Sequence, residues 1–346
     1  MRLKDGFASL AIATAALATA ALATTAKADD AIHLKIADSL PANHFLAKNG
    51  VHYFIEDVEK ATNGKVVFDY FPGEQLGKAR DMLDLTQNGV SDVGMVASAY
   101  ASEKMPLSTV FELPGGFKSS CQGTLAYWKL SQEGQYFAEN ELKPNRVHLL
   151  FAYVNPPYQL FLNHDFQSLD DLDGLKIRSA SGPQDLLLRK LGAAPVRTTA
   201  VEVYEALSRG TVDGLVFPPP TAIVYDVQNF TKNVTRGENF GSVPVAYVIS
   251  DRSWRKLSPE LQKTILAVGE KTTQRICQMT DDDVATSFEK LAAKGANVIH
   301  LSEADNEKLQ GVFAAVSDDW IQKLEERGKP AKAAYQAFQQ AVQQSQ

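Results

Sequence analysis

The sequence predicts an α/β fold divided into two lobes. Three observations carry this. Strand-like and helix-like segments alternate through roughly the first 250 positions, the pattern of parallel βαβ units. One such unit recurs later with matching corners. The chain, at 346 residues, also exceeds what a single hydrophobic core comfortably fills.

Each element follows from local pattern. "AIHLKIADSL" alternates apolar and polar positions and predicts a first strand. "LAKNGVHYFIEDVEKATNG" then sets Leu46, Val51, Phe54, Ile55 and Val58 on one helical stripe and stops at Gly64. "KVVFDYF" predicts a strand, "KARDMLDLTQNG" a helix ending at Gly89, and "SDVGMVA" another strand. Further on, "GLKIR" reads as a strand, 179–182 as a small-residue loop, and a helix starts near Pro183. "AAPVRTT", "AVEVYEALSRG" and "VDGLVF" complete a second strand–helix–strand unit. Its corner "SRGTVDGL" parallels the earlier "QNGVSDVG": a glycine closes each helix, and Asp92 or Asp213 follows three residues on. The match points to an internal repeat. The alternative is common helix-to-strand turn chemistry, which uses the same residues.

The last third is helical. Ser258, Pro259 and Glu260 form an N-terminal start signal for a segment running to Gly295, with a break near Thr280 weighed. The triplet Asp281-Asp282-Asp283 reads as a solvated helix face or a new helix start rather than a metal site, since adjacent helical residues point apart. Ser302 and Gly328 bracket another helix, and the Ala/Gln-rich end is expected to fray.

The N-terminus carries Arg2 and Lys4, an apolar Ala/Thr-rich stretch and an Ala26-Lys27-Ala28 cleavage pattern. It reads as a secretory signal peptide over 1–28, which places the mature protein in a periplasm or outside the cell, without membrane insertion. The alternative is an N-terminal membrane anchor, for which the stretch is marginal. The formal net charge is −6, and the signal segment holds three basic residues against one acidic, so the mature protein is more acidic still. Without a basic surface, nucleic acid is excluded as a partner. Cys121 and Cys277 are the only cysteines. An oxidising compartment allows a disulfide between them; two buried thiols are the alternative, and spacing does not choose.

Motifs of catalysis are missing. There is no G-x-S-x-G, H-E-x-x-H, C-x-x-C, phosphate-binding loop or dinucleotide fingerprint, and the six histidines show no metal-pair spacing. No cofactor, metal or catalytic residue is therefore predicted. The conspicuous charge is Arg178. It closes the strand "GLKIR", at the kind of strand end where α/β proteins collect ligands. A guanidinium there offers a rigid fork matched to a carboxylate. A surface or interlobe salt bridge is the competing role.

"LDGLKIR" followed by Gly-Pro at a helix start, "LGAAPV" and "EVYEALSRGTVDG", together with "FPGEQLGKARDMLDLTQNGVSDVGMV", resemble the solute-binding subunits of tripartite ATP-independent periplasmic (TRAP) transporters, the DctP-like family. The resemblance spans nearly the whole mature sequence. It implies a two-lobe periplasmic binding protein of type II character, with hinge strands and a long spanning helix. It implies no enzymatic activity, a small organic acid clamped between the lobes, and a membrane permease as partner. It also makes Arg178 the carboxylate-binding arginine and Ser181 a polar contact. The lobes should be discontinuous: 29–154 plus 244–284, and 155–243 plus 285–335, with 336–346 as a tail.

Two departures bear on the ligand. Relatives that take sialic acid or C4-dicarboxylates often carry a second arginine on the preceding strand, where this protein has Pro157 and Tyr158. They often carry an asparagine soon after the V-D-G, where it has Val216, Phe217 and Pro218. One arginine among less polar walls predicts a monocarboxylate, such as a 2-oxo, 2-hydroxy or aromatic acid. Asn43, His44, Ser98, Tyr100, Tyr153, Tyr158 and Phe217 are the other cleft candidates. Val201 and Tyr204 read as helix packing. The alternative function is a secreted α/β hydrolase or lyase acting on a small carboxylate.

Overall fold

The computed structural model describes residues 31–345, so the segment expected as a signal peptide lies outside the described residues. The strands are β1 (Ile32–Ala37), β2 (Val66–Phe71), β3 (Val93–Ala97), β4 (Val147–Val154), β5 (Gln159–Leu162), β6 (Lys176–Ser179), β7 (Ala194–Arg197), β8 (Gly214–Phe217), β9 (Asn233–Thr235), β10 (Pro244–Ser250) and β11 (Asn297–Ile299). They form two sheets, ordered β2-β1-β3-β10-β4 and β7-β6-β8-β5-β9-β11. In each, three parallel strands are joined by an antiparallel fourth: β10 beside β3, and β5 beside β8.

The repeat suggested by the two corners extends to their hydrogen bonds. Asp92 Oδ2 accepts from the backbone N–H of Lys35 at 2.9 Å, and Asp213 Oδ2 accepts from that of Lys176 at 2.9 Å. The reciprocal bonds, Asp92 N–H to Lys35 C=O and Asp213 N–H to Lys176 C=O, are also present. Gly89 and Gly210 take the left-handed backbone, φ 77° and 64°, that lets each helix end turn into its strand. The aspartates thus lock β3 onto β1 and β8 onto β6 by one device used twice.

The helices are α1 (His52–Ala61), α2 (Met82–Gln87), α3 (Ser120–Leu130), α4 (Gly182–Lys190), α5 (Val203–Ser208), α6 (Pro219–Val224), α7 (Asp251–Trp254), α8 (Pro259–Ala293), α9 (Glu303–Glu326) and α10 (Ala331–Gln344). α8 is continuous through Thr280, 35 residues long, about 52 Å at 1.5 Å per residue. It packs on α1, α3 and β4 and also on α6 and β11, so one helix seats on both lobes. The Asp281 carboxylate accepts from the backbone N–H groups of Ser120 and Cys121 at 2.7 and 3.0 Å, caring for the open start of α3. Asp283 pairs with Lys290. The acidic triplet is structural, and no metal-holding cluster occurs among the described residues. Beside it, Cys121 and Cys277 form a disulfide between α3 and α8. A cross-link closing so long a loop typically contributes about 2–4 kcal/mol. The C-terminal end does not fray as expected: α10 buries Phe338, Ala341 and Val342, and packs on α3.

The polypeptide passes between the lobes at 155–158, at 236–243 and through α8. The first two crossings are tied together. Asn155 donates from its backbone and side-chain nitrogens to the Val243 carbonyl, Ser242 Oγ donates to the Asn155 carbonyl at 2.6 Å, and Tyr158 N–H donates to the Gly241 carbonyl.

Candidate functional site

Between the sheets lies a small cavity of about 50 Å³. Its walls are largely apolar: Leu40, Leu46, Met95 and Val245 from one lobe face Val201, Phe217 and Pro218 from the other. Arg178, Tyr100, Tyr153 and Tyr158 also line it.

Arg178 is the largest fully buried side chain described, only 1% exposed. Strand alternation turns Ile177 into the core, while Arg178 leans along the sheet toward its neighbours' ends. Nε and Nη2 donate to the Thr198 carbonyl at 3.2 and 2.8 Å, and Nη1 donates to the Val216 carbonyl at 3.3 Å. The guanidinium carbon lies 5.1 Å from the centre of the Phe217 ring, a cation–π contact. A guanidinium has five N–H donors, so these bonds leave one on Nη1 and one on Nη2. Among the described residues no carboxylate forms an ion pair with it. A buried cation held only by carbonyl dipoles and a ring is costly unless an anion completes it. One N–H on each terminal nitrogen is thus left for a further acceptor, and a guanidinium with both free can bind a carboxylate by two hydrogen bonds.

His44 is buried, 3% exposed, and desolvation pushes its pKa down to about 3, so it is neutral. Its Nδ1 accepts from the Leu46 N–H at 3.2 Å, which places the ring proton on Nε2. That Nε2 is buried without a partner. Tyr100 Oη accepts from the Ala200 N–H at 2.8 Å, a hydrogen bond across the cleft. Asp38, whose pKa burial raises to about 6, accepts from Tyr70, Tyr247 and the Leu40 N–H; it fixes the loop carrying the wall residues Ser39 and Leu40.

The other candidates fall elsewhere. Asn43 sits on an exposed turn outside the cavity. Ser98 donates to Glu112 Oε1, and Ser181 heads α4 without capping it, its hydroxyl beside Glu112. Neither serine lines the cavity. Neither residue read as helix packing is a core residue: Tyr204 is 48% exposed, with an edge-on contact to Phe230, and Val201 lies in the cavity wall. Sequence reasoning also missed Asn155, Thr221, Tyr225 and Glu112.

Glu112 is fully buried where the two lobes meet, and neither its Oε2 nor the Ser181 Oγ has a completed hydrogen bond. Burial raises its pKa from 4.5 to about 7. A carboxyl whose folded pKa exceeds its unfolded one stabilises fully below the unfolded value and loses that contribution as pH rises through the folded one. The unfolding midpoint is therefore expected to fall between about pH 4.5 and 7. Glu112→Gln should flatten that fall by up to about 3 kcal/mol. Glu141 and Asp38, raised to about 7 and about 6, slope the same way, so part of the fall survives. Thermal melts of both proteins from pH 4.5 to 8 check this, and parallel curves would contradict it.

Two α/β lobes of repeated topology, closed on a cavity with one incompletely satisfied cation, define a solute-binding receptor of the two-lobe type. Residues 36–323 match the DctP family, bacterial extracellular solute-binding protein, family 7, and the chain belongs to it. Receptors of TRAP transporters bind a small ligand outside the cytoplasm and work with membrane permease components; they are not enzymes. The sialic acid-binding periplasmic protein SiaP of Vibrio cholerae is 26% identical over 257 residues, 73% of this protein and 78% of that one. Among solved structures, a TRAP periplasmic solute-binding protein from Desulfovibrio salexigens is 28% identical, with TM-score 0.76 over 90% of this protein and 95% of that one. It is an open complex with the C-terminus of a symmetry mate in its ligand-binding site. A TRAP solute-binding protein from Rhodoferax ferrireducens, in complex with copurified benzoate, superposes with TM-score 0.83 at 20% identity, over 91% and 98% of the two proteins. No described helix is long and apolar enough to cross a membrane.

Proposed function

We infer that this receptor captures a small monocarboxylate and delivers it to a TRAP permease. The observation that carries the reading is the Arg178 guanidinium, buried, unmatched by any carboxylate among the described residues and set among largely apolar walls. Arg178 is also the only Lys or Arg lining that cavity. A second carboxylate on the ligand would be desolvated without a counter-charge, at a cost of several kcal/mol. The Desulfovibrio relative holds the C-terminus of a symmetry mate in its own ligand-binding site.

Capture works by closure. The lobes, 29–154 plus 244–284 and 155–243 plus 285–335, turn about the tied crossings near Asn155 and Val243. The closed form is held by contacts such as Tyr100 to Ala200. A calorimetric panel tests the reading. Butanoate, 2-oxobutanoate, phenylacetate and mandelate represent monocarboxylates, against succinate and sialic acid. At least one monocarboxylate should bind at micromolar Kd or better, and the last two at least a hundredfold more weakly. Tighter binding of succinate or sialic acid than of every monocarboxylate would overturn it.

A further inference from the structure

Away from the guanidinium, the cavity region holds a group of polar atoms without partners. His44 Nε2, Thr221 Oγ1 and Tyr225 Oη are each buried and make no hydrogen bond. They are neighbours. The His44 and Tyr225 rings lie 6.3 Å apart, and Thr221 and Tyr225 share one face of α6, where Tyr225 N–H donates to the Thr221 carbonyl. His44 and Thr221 line the cavity itself. The group straddles the cleft, since His44 follows β1 in one lobe and the other two lie on and just past α6 in the second.

Three unpartnered polar atoms in one buried corner are rare in native proteins, where such groups nearly always find a partner. Their chemistry specifies that partner. His44 Nε2 is a donor only, because Nδ1 is occupied by the Leu46 N–H. The two hydroxyls can donate or accept. An ammonium would face the histidine donor and is rejected; a hydrocarbon would leave all three unmet. An oxygen that accepts from His44, and as a hydroxyl can also donate to Thr221 or Tyr225, satisfies them. Phe217 packs against both the Arg178 guanidinium and the Tyr225 ring (6.3 Å between ring centres), so a compact ligand can reach both features.

Building on the monocarboxylate reading, we propose that the ligand carries a second oxygen, hydroxyl or oxo, seated against His44, Thr221 and Tyr225, and that this corner selects oxygenated acids over their deoxy parents. Because its atoms come from both lobes, the corner is complete only when the cleft is shut. A deoxy acid would have to close the lobes over three unmet polar groups.

The test compares matched acids differing by one oxygen: phenylacetate with mandelate and 3-hydroxyphenylacetate, and butanoate with 2-hydroxybutanoate and 2-oxobutanoate. In the wild-type protein the best oxygenated acid should bind at least tenfold tighter than its parent. In His44→Phe that ratio should fall below threefold. Thr221→Val and Tyr225→Phe each remove one hydroxyl with little change of shape; they should narrow the ratio, and they serve if the histidine variant folds poorly. A wild-type ratio near one, or a ratio unchanged in all three variants, overturns the proposal while leaving the monocarboxylate reading intact. Binding of succinate or sialic acid alone overturns that reading, and this inference with it.

Discussion

Replacing Arg178 by glutamine is expected to lower affinity for the best monocarboxylate by at least a hundredfold. The variant removes the only cation of the cavity wall and leaves the ligand's carboxylate desolvated without a counter-charge. Breaking a buried pair in this way costs about 3–5 kcal/mol, two to three orders of magnitude in affinity or more. Arg178→Lys is the informative companion. It keeps the charge but loses the planar fork, so it cannot hold the Thr198 and Val216 carbonyls and present two parallel donors together. An intermediate loss of about ten- to a hundredfold is expected. Calorimetry on both variants, with circular dichroism to establish folding, provides the check. Affinity within threefold of wild type in a folded glutamine variant would show that the carboxylate binds elsewhere.

The second large effect concerns stability. Gly269 lies within α8 where that helix crosses β4, and a Cβ there would stand 1.8 Å from the Leu150 carbonyl oxygen and 2.9 Å from its carbon. The obstacle is backbone, so it cannot rotate away. Gly269→Ala must push helix and strand apart, opening packing along the element that seats on both lobes. Overpacking of this severity should cost about 3 kcal/mol or more, lowering the unfolding midpoint of a chain this long by about 5 °C or more. Gly311→Ala, in α9 with nothing near its Cβ position, supplies the control. It should be neutral or stabilise by up to about 1 kcal/mol, because alanine is the better helix former. Equal midpoints for the two variants would refute the close-approach account.

The parts legible in the sequence were those set by local chemistry. Asp92 and Asp213 could be matched because a glycine helix end and an aspartate three residues later solve the same backbone problem twice. Ser258 and Ser302 cap their helices as their positions predict, each accepting from a backbone N–H three residues on. Arg178 stood out because a charge at the end of an apolar strand is anomalous by itself. The rest of the site depends on tertiary placement. Asn43 and His44 are adjacent in an irregular loop, where no periodicity says which faces inward; one is exposed and the other buried. Thr221 and Tyr225 read as ordinary helix residues until α6 is set across from His44. Ser98 and Ser181 were sensible polar candidates, but both turn to Glu112, an inconspicuous glutamate in "STVFELPG" that becomes an interlobe acid only after folding. Val201 gave the opposite error: a helical spacing suggested a core position, and the preceding 3₁₀ turn, 200–202, carries it to the cavity.

The single disulfide has a topological consequence. Its two half-cystines stand 156 positions apart, and every strand from β4 to β10 lies between them. The bulk of one lobe is thus an insert whose entry and exit are stapled at its base. A protease that nicks any exposed loop between those anchors produces two polypeptides that still travel as one molecule on a non-reducing gel, and only a reductant parts them.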